Sequence, residues 1–140
     1  VTHRTLPGLP AEDAQSRYIE ILADGIAMAG IYLPNGNSGG EAGYAYKLAW
    51  MELLAERAAA LLEADTPTII LGDFALQPDG PAYTFWDYQA GAWPRDRGLR
   101  IDHALLSPTL AERLTSATSD RRERGEDTPS DHVPVVVELA

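Results

Sequence analysis

The chain has 140 residues, a formal net charge of −10, 45% hydrophobic residues and no cysteine. That length suits one domain with a real core rather than two, and the missing thiols exclude disulfide frameworks, thiolate zinc sites and cysteine catalysis. The acidic balance excludes a protein that grips nucleic acid through bulk charge, and the absence of any apolar run near the roughly 18 residues of a membrane span points to a soluble, cytoplasmic protein with no membrane partner.

Val1-Thr2-His3-Arg4-Thr5 reads as a strand in mid-sheet, and because Val1 is not an initiator methionine, the chain is expected to be cut from something longer. Arg17 to Ala23 and Ile26 to Leu33 are two strands about an Asp24-Gly25 turn, a strong short-range hairpin signal. The second is apolar nearly throughout, so it is expected to be central and covered on both faces. Pro34 to Gly40 is a loop by composition. From Tyr44 to Ala64 the apolar positions Tyr44, Leu48, Met51, Ala55, Ala58 and Leu62 recur at helical spacing, which predicts a long helix packed on a sheet through that stripe. Thr68 to Leu71 is a short buried strand, and Gly98 to Asp102 is a strand-like run. Ser107-Pro108 caps a predicted helix over Thr109 to Thr115. Residues 119–130 are polar, and the last strand runs from about Val133 to Leu139. Sheets faced by helices are expected.

Seven of the eleven basic residues (Arg95, Arg97, Arg100, Arg113, Arg121, Arg122, Arg124) fall between positions 95 and 124. Such a run is either a solvated surface or a phosphate-facing patch. The acids are more pointed. Thr68-Ile69-Ile70-Leu71-Gly72-Asp73, Gly98-Leu99-Arg100-Ile101-Asp102 and Ser130-Asp131-His132 before Val133-Pro134-Val135 each join an apolar run to an acid. Acids at strand ends serve a core poorly but can converge at a sheet rim, where hard oxygen ligands hold Mg²⁺ and an imidazole handles a proton.

Ile31-Tyr32-Leu33-Pro34-Asn35-Gly36, Leu71-Gly72-Asp73-Phe74, Tyr83-Thr84-Phe85-Trp86-Asp87-Tyr88, Leu99-Arg100-Ile101-Asp102-His103 and Pro129-Ser130-Asp131-His132-Val133-Pro134-Val135 together resemble the ordered motif series of the exonuclease III family of abasic-site endonucleases. The resemblance implies an α/β fold, the four-layered α/β sandwich of the DNase I-like type, incomplete here. In the family the Gly-Asp motif continues through one residue to an Asn, whereas Asp73-Phe74 is followed by Ala75-Leu76-Gln77-Pro78. Residues 1–140 therefore read as a single partial domain with a deletion junction near 74–76. The N-terminal portion that supplies an Asn and a metal-binding Glu in the family is also absent.

The resemblance implies Mg²⁺-dependent (or Mn²⁺-dependent) hydrolysis of DNA phosphodiesters in repair, by a monomer acting on duplexes with abasic sites or 3′ ends. It places His132 nearest the scissile phosphate with Asp102 orienting it, makes Asp131 a metal-side carboxylate, and gives Asp73 the attacking water and Tyr32 a phosphate contact. Phe85, Leu99 and Ile101 match a small apolar pocket that admits a base-free sugar, with Arg100 structural or phosphate-facing. Each residue also has a plainer reading: a capped turn for Ser130-Asp131-His132, a core tyrosine for Tyr32, core aromatics for Phe85, Trp86 and Trp93. His3 and His103 are read as surface or packing histidines. Two other functions stay open: an inactive DNA- or partner-binding remnant, and another phosphodiesterase or phosphatase branch of the same superfamily.

Overall fold

A computed structural model describes residues 1–13, 15–74 and 82–140. A four-stranded sheet is built from β1 (Tyr18–Ala23), β2 (Ile26–Tyr32), β3 (Thr68–Asp73) and β4 (Asp102–Leu106), in that spatial order. β1 and β2 form the hairpin expected from Asp24-Gly25, whose residues adopt φ of 50° and 78°, the doubly left-handed turn that matches strand twist. The crossover from β2 to its parallel neighbour β3 is α1 (Gly40–Glu63). β4 returns antiparallel to β3. After a single helical turn, α2 (Pro108–Ala111), the strands β5 (Leu114–Ser119) and β6 (Val135–Leu139) pair as a second, two-stranded sheet. A 3₁₀ turn, Arg121–Gly125, lies between them.

The main core lies between α1 and one face of the large sheet, where Trp50 and Leu54 meet Ala29, Ile31, Ile70 and Phe74. The inward stripe of α1 is Lys47, Trp50, Leu54 and Leu61. This corrects the stripe expected from the sequence: Tyr44, Leu48 and Leu62 are exposed, and only Met51 and Ala58 lean on the core. The helix is apolar on more than one side, so spacing alone does not choose the face; the bulk of Trp50, 1% exposed, does. The helix also begins four residues before the apolar pattern does, with Glu41 in its first turn, where the helix dipole favours an acid.

β2 is central, as expected, but is sealed on one face only. Ala27, Ala29 and Ile31 are buried toward α1, whereas Met28 faces a cleft of about 590 Å³ shared with Ile69, Leu71, Ala104, Val135 and Val137. Three further expectations change. The predicted helix through Thr115 stops at Ala111, because Leu114 to Ser119 finds β6 as a strand partner. Asp102 opens β4 instead of closing a strand; Leu99 contributes one bridge, to Phe85. The N-terminal segment is no mid-sheet strand: His3 makes one bridge, to Glu20. The proposed junction at Ala75 lies outside the described residues. Among those described, no helix is long and apolar enough to cross a membrane.

Candidate active site

Register assembles the site. Tyr32 pairs with Asp73 and Asp73 pairs with Asp102, so three side chains from neighbouring strands stand in one row at one rim, on the cleft side of the sheet. Just before Asp73, Gly72 holds φ at 140°, and a Cβ there would sit 1.9 Å from the Ile31 carbonyl oxygen. Only glycine lets β3 approach β2 that closely. At the end of the row Tyr32 lies under Arg17, whose guanidinium carbon is 4.7 Å from the ring centroid.

His132 reaches this row from the other side. Its Nδ1 lies 2.8 Å from Asp102 Oδ2, which fixes the tautomer and leaves Nε2 as the nitrogen that can exchange a proton with a substrate. The hydrogen bond to Asp102 raises the His132 pKa above the ordinary imidazole value; burial opposes this, and the negative charges of Asp102, Asp131 and Asp73 add to it. Those contributions place Asp131 and Asp73 within electrostatic reach of the ring. The Phe85 ring packs against His132, centroids 5.1 Å apart at 66°, and Phe85 forms backbone bridges to both Leu99 and His132. Leu99 is exposed and Ile101 half-buried. Arg100 lines a cavity of about 220 Å³ with Thr84 and Asp102 between β4 and the small sheet.

Asp131 is held through its backbone, the carbonyl accepting from Trp86 N–H at 2.8 Å. The Ser130 hydroxyl accepts from His132 N–H at 3.1 Å. The capped-turn reading of Ser130-Asp131-His132 is thus present alongside the site geometry. His103 packs edge-on against Phe74, centroids 5.7 Å apart, and Trp86 is a fully buried core aromatic. The basic run divides: Arg121 and Arg122 pair with Asp96 and Asp120, Arg113 donates to the Ala140 carbonyl, and Arg124 is buried. Arg95 and Arg97 remain exposed.

Sequence reasoning passes over Thr84. This buried residue accepts from Ile101 N–H and Asp102 N–H through its hydroxyl, at 3.2 and 3.1 Å, while its carbonyl accepts from Val133 N–H. It braces the strands that carry Asp102 and His132, and one signal for it was available: a threonine inside the aromatic block. Among the described residues no group of three or more histidines or acids gathers to hold a cation. A pair of carboxylates suits an ion that keeps most of its waters and leans on a substrate phosphate.

The endonuclease/exonuclease/phosphatase family profile matches residues 3–132. The exodeoxyribonuclease III of Haemophilus influenzae is 39% identical over 57 residues, 41% of this chain and 21% of that protein. A 3′ phosphatase, NExo, from Neisseria, solved bound to a product DNA hairpin, superposes with a TM-score of 0.91 at 26% identity, over 99% of this chain and 70% of that one. An AP endonuclease from Archaeoglobus fulgidus superposes at 0.82 with 25% identity, over 93% of this chain and 67% of that one. The matched stretch thus spans about a fifth of its curated relative's length, and the fold is the α/β sandwich of those nucleases in part.

Proposed function

Because the chain belongs to the endonuclease/exonuclease/phosphatase family and within it is exonuclease III-like, we propose that it serves DNA phosphodiester hydrolysis in repair, as an abasic-site endonuclease or 3′-exonuclease. The observation that carries this reading is the Asp102–His132 contact in a row of strand-end acids. In it, Asp102 holds the imidazole by Nδ1, and that hydrogen bond raises the His132 pKa, favouring the protonated ring. A protonated His132 beside a phosphate offsets charge developing on its oxygens. Asp73 orients water from the next strand, and the Tyr32 hydroxyl contacts the phosphate. Phe85, Leu99 and Ile101 form an apolar seat that accepts a base-free sugar and refuses a sugar carrying its base. The group implied is a divalent cation, Mg²⁺ first and Mn²⁺ second, with Asp131 as its carboxylate.

The test is a duplex with one abasic site. Nicking that needs Mg²⁺, stops with chelator, favours the abasic strand over an intact one, and disappears in His132→Ala supports the reading. One other reading, an inactive DNA- or partner-binding remnant, predicts no cutting of the duplex at any Mg²⁺ concentration. Hydrolysis of a phospholipid or inositol phosphate, with DNA untouched, assigns another branch of the family.

A further inference from the structure

Asp131 and His132 owe their place to a strap. The segment Thr84–Tyr88 runs alongside Pro129–Val133: Trp86 N–H donates to the Asp131 carbonyl at 2.8 Å and Val133 N–H donates to the Thr84 carbonyl at 2.9 Å. Phe85 bridges His132 between these bonds, and the Tyr88 hydroxyl donates to the Pro129 carbonyl at 2.9 Å. Apart from the local His132 N–H to Ser130 hydroxyl bond, the backbone ties of this segment among the described residues lead to residues 84–88.

The strap is in turn held by rings and guanidinium groups. Trp86 meets Trp93 edge-on at 5.0 Å. Arg121 lies 4.8 Å over Trp86 and pairs with Asp96 at 2.6 Å, and the same carboxylate accepts from Trp86 Nε1 at 3.2 Å. Arg124 differs from Arg121. It is 7% exposed, lies over Tyr88 at 5.0 Å and Trp93 at 5.9 Å, and donates through Nη2 to the Trp86 carbonyl at 3.1 Å. Its Nε is buried with no hydrogen-bond partner, and no carboxylate pairs with it among the described residues.

A buried cation without an acid is a poor stabiliser, since an apolar side chain of similar volume avoids the desolvation cost. A guanidinium does what an apolar chain cannot: it stacks flat on two rings while donating in its own plane to a carbonyl. That carbonyl belongs to Trp86, the residue whose N–H holds Asp131. We propose that Arg124 is a positioning residue, locking the Trp86–Tyr88 strap so that Asp131 and His132 are presented to Asp102. Through the ring stack it sets the angle of the strap, and through the Trp86 peptide it sets the backbone of Asp131.

This role rests on the reading of His132 as the proton-handling group, but its test does not need turnover. Proton NMR at low temperature reads the downfield Nδ1–H of His132, the proton shared with Asp102. In Arg124→Met, similar in length and uncharged, that resonance is lost or broadened while circular dichroism and cooperative unfolding persist. Arg124→Lys does not restore it, because an ammonium cannot lie flat on both rings. Tyr88→Phe keeps the exposed ring stack, removes the Pro129 bond and shifts the resonance in part, so it decides the matter if Arg124→Met fails to fold. Arg121→Lys leaves it in place. The proposal is overturned by an unshifted resonance in Arg124→Met or Tyr88→Phe, by equal loss in Arg121→Lys, or by its absence from the unsubstituted protein. Loss on Arg124→Met in a protein that cuts no DNA refutes the nuclease reading and leaves the positioning role standing.

Discussion

The two faces of the large sheet carry opposite kinds of order. Toward α1, Ala29, Ile31 and Ile70 lie under Trp50 and Leu54 in a sealed core. Toward the small sheet, Leu71 is 39% exposed and Val136 of β6 is 45% exposed, across an open cleft. Each face carries a well-formed acid pair. Buried Glu20 accepts from Arg57 of α1 at 2.7 and 2.8 Å and from the Tyr18 hydroxyl at 2.7 Å, so on the covered face the acid ties strand to helix. On the open face Asp102 ties down the His132 ring by Nδ1 and leaves Nε2 outside that contact. The covered pair serves the fold, and on the proposed reading the half-covered pair at the rim serves chemistry.

Activity separates the faces by the widest margin. His132→Ala or Asp102→Asn lowers nicking of an abasic duplex by about 100-fold or more, while urea unfolding moves by less than about 1 kcal/mol, the range of changes away from the core. A large stability loss with unchanged cleavage breaks the comparison. Packing comes next: Trp50→Ala costs about 3–5 kcal/mol in the same unfolding assay, and Leu71→Ala, already half in solvent, costs under about 2 kcal/mol.

The pH dependences of the two pairs run in opposite directions. Hydrogen bonding from Arg57 lowers the Glu20 pKa to about 2 from 4.5, so its stabilisation is full above the unfolded value and is lost as pH falls toward 2. The His132 pKa is raised, so its contribution is full below about 6.5, the unfolded imidazole value, and is lost as pH rises through the folded value. Unfolding midpoints for Glu20→Gln and His132→Gln therefore converge on the unsubstituted protein at opposite ends of the pH scale. The smallest effect tests the helix face: Tyr44→Ala changes stability by less than about 0.5 kcal/mol, whereas a core role for Tyr44 requires several times that.

Local chemistry made much of this legible. Asp24-Gly25 fixed the hairpin because its turn needs no distant partner, and the rim acids stood out because each joins an apolar run. What local chemistry left dark depends on distance. β5 is a strand because Val135 to Leu139 lie beside it, some twenty residues later, and Thr84 matters because Ile101 and Asp102 come to its hydroxyl. The inward stripe of α1 was misread for a related reason: alanines and leucines ring the helix, and only the sheet below decides which of them it will accept. The sequence reads Asp102 as closing a strand over Gly98 to Asp102, whereas it opens β4; the run before it contributes the Leu99 bridge to Phe85 and no strand.

Gly72 has a consequence for how this chain can vary. A side chain there collides with the Ile31 backbone, and a backbone φ of 140° is closed to other residues besides. No codon but glycine's is expected to survive at this position in a library screened for folded protein, even though the neighbouring Asp73 tolerates replacement in the same screen. The fold thus constrains the seat of this rim acid through the backbone of the residue before it, independently of which side chain the seat carries.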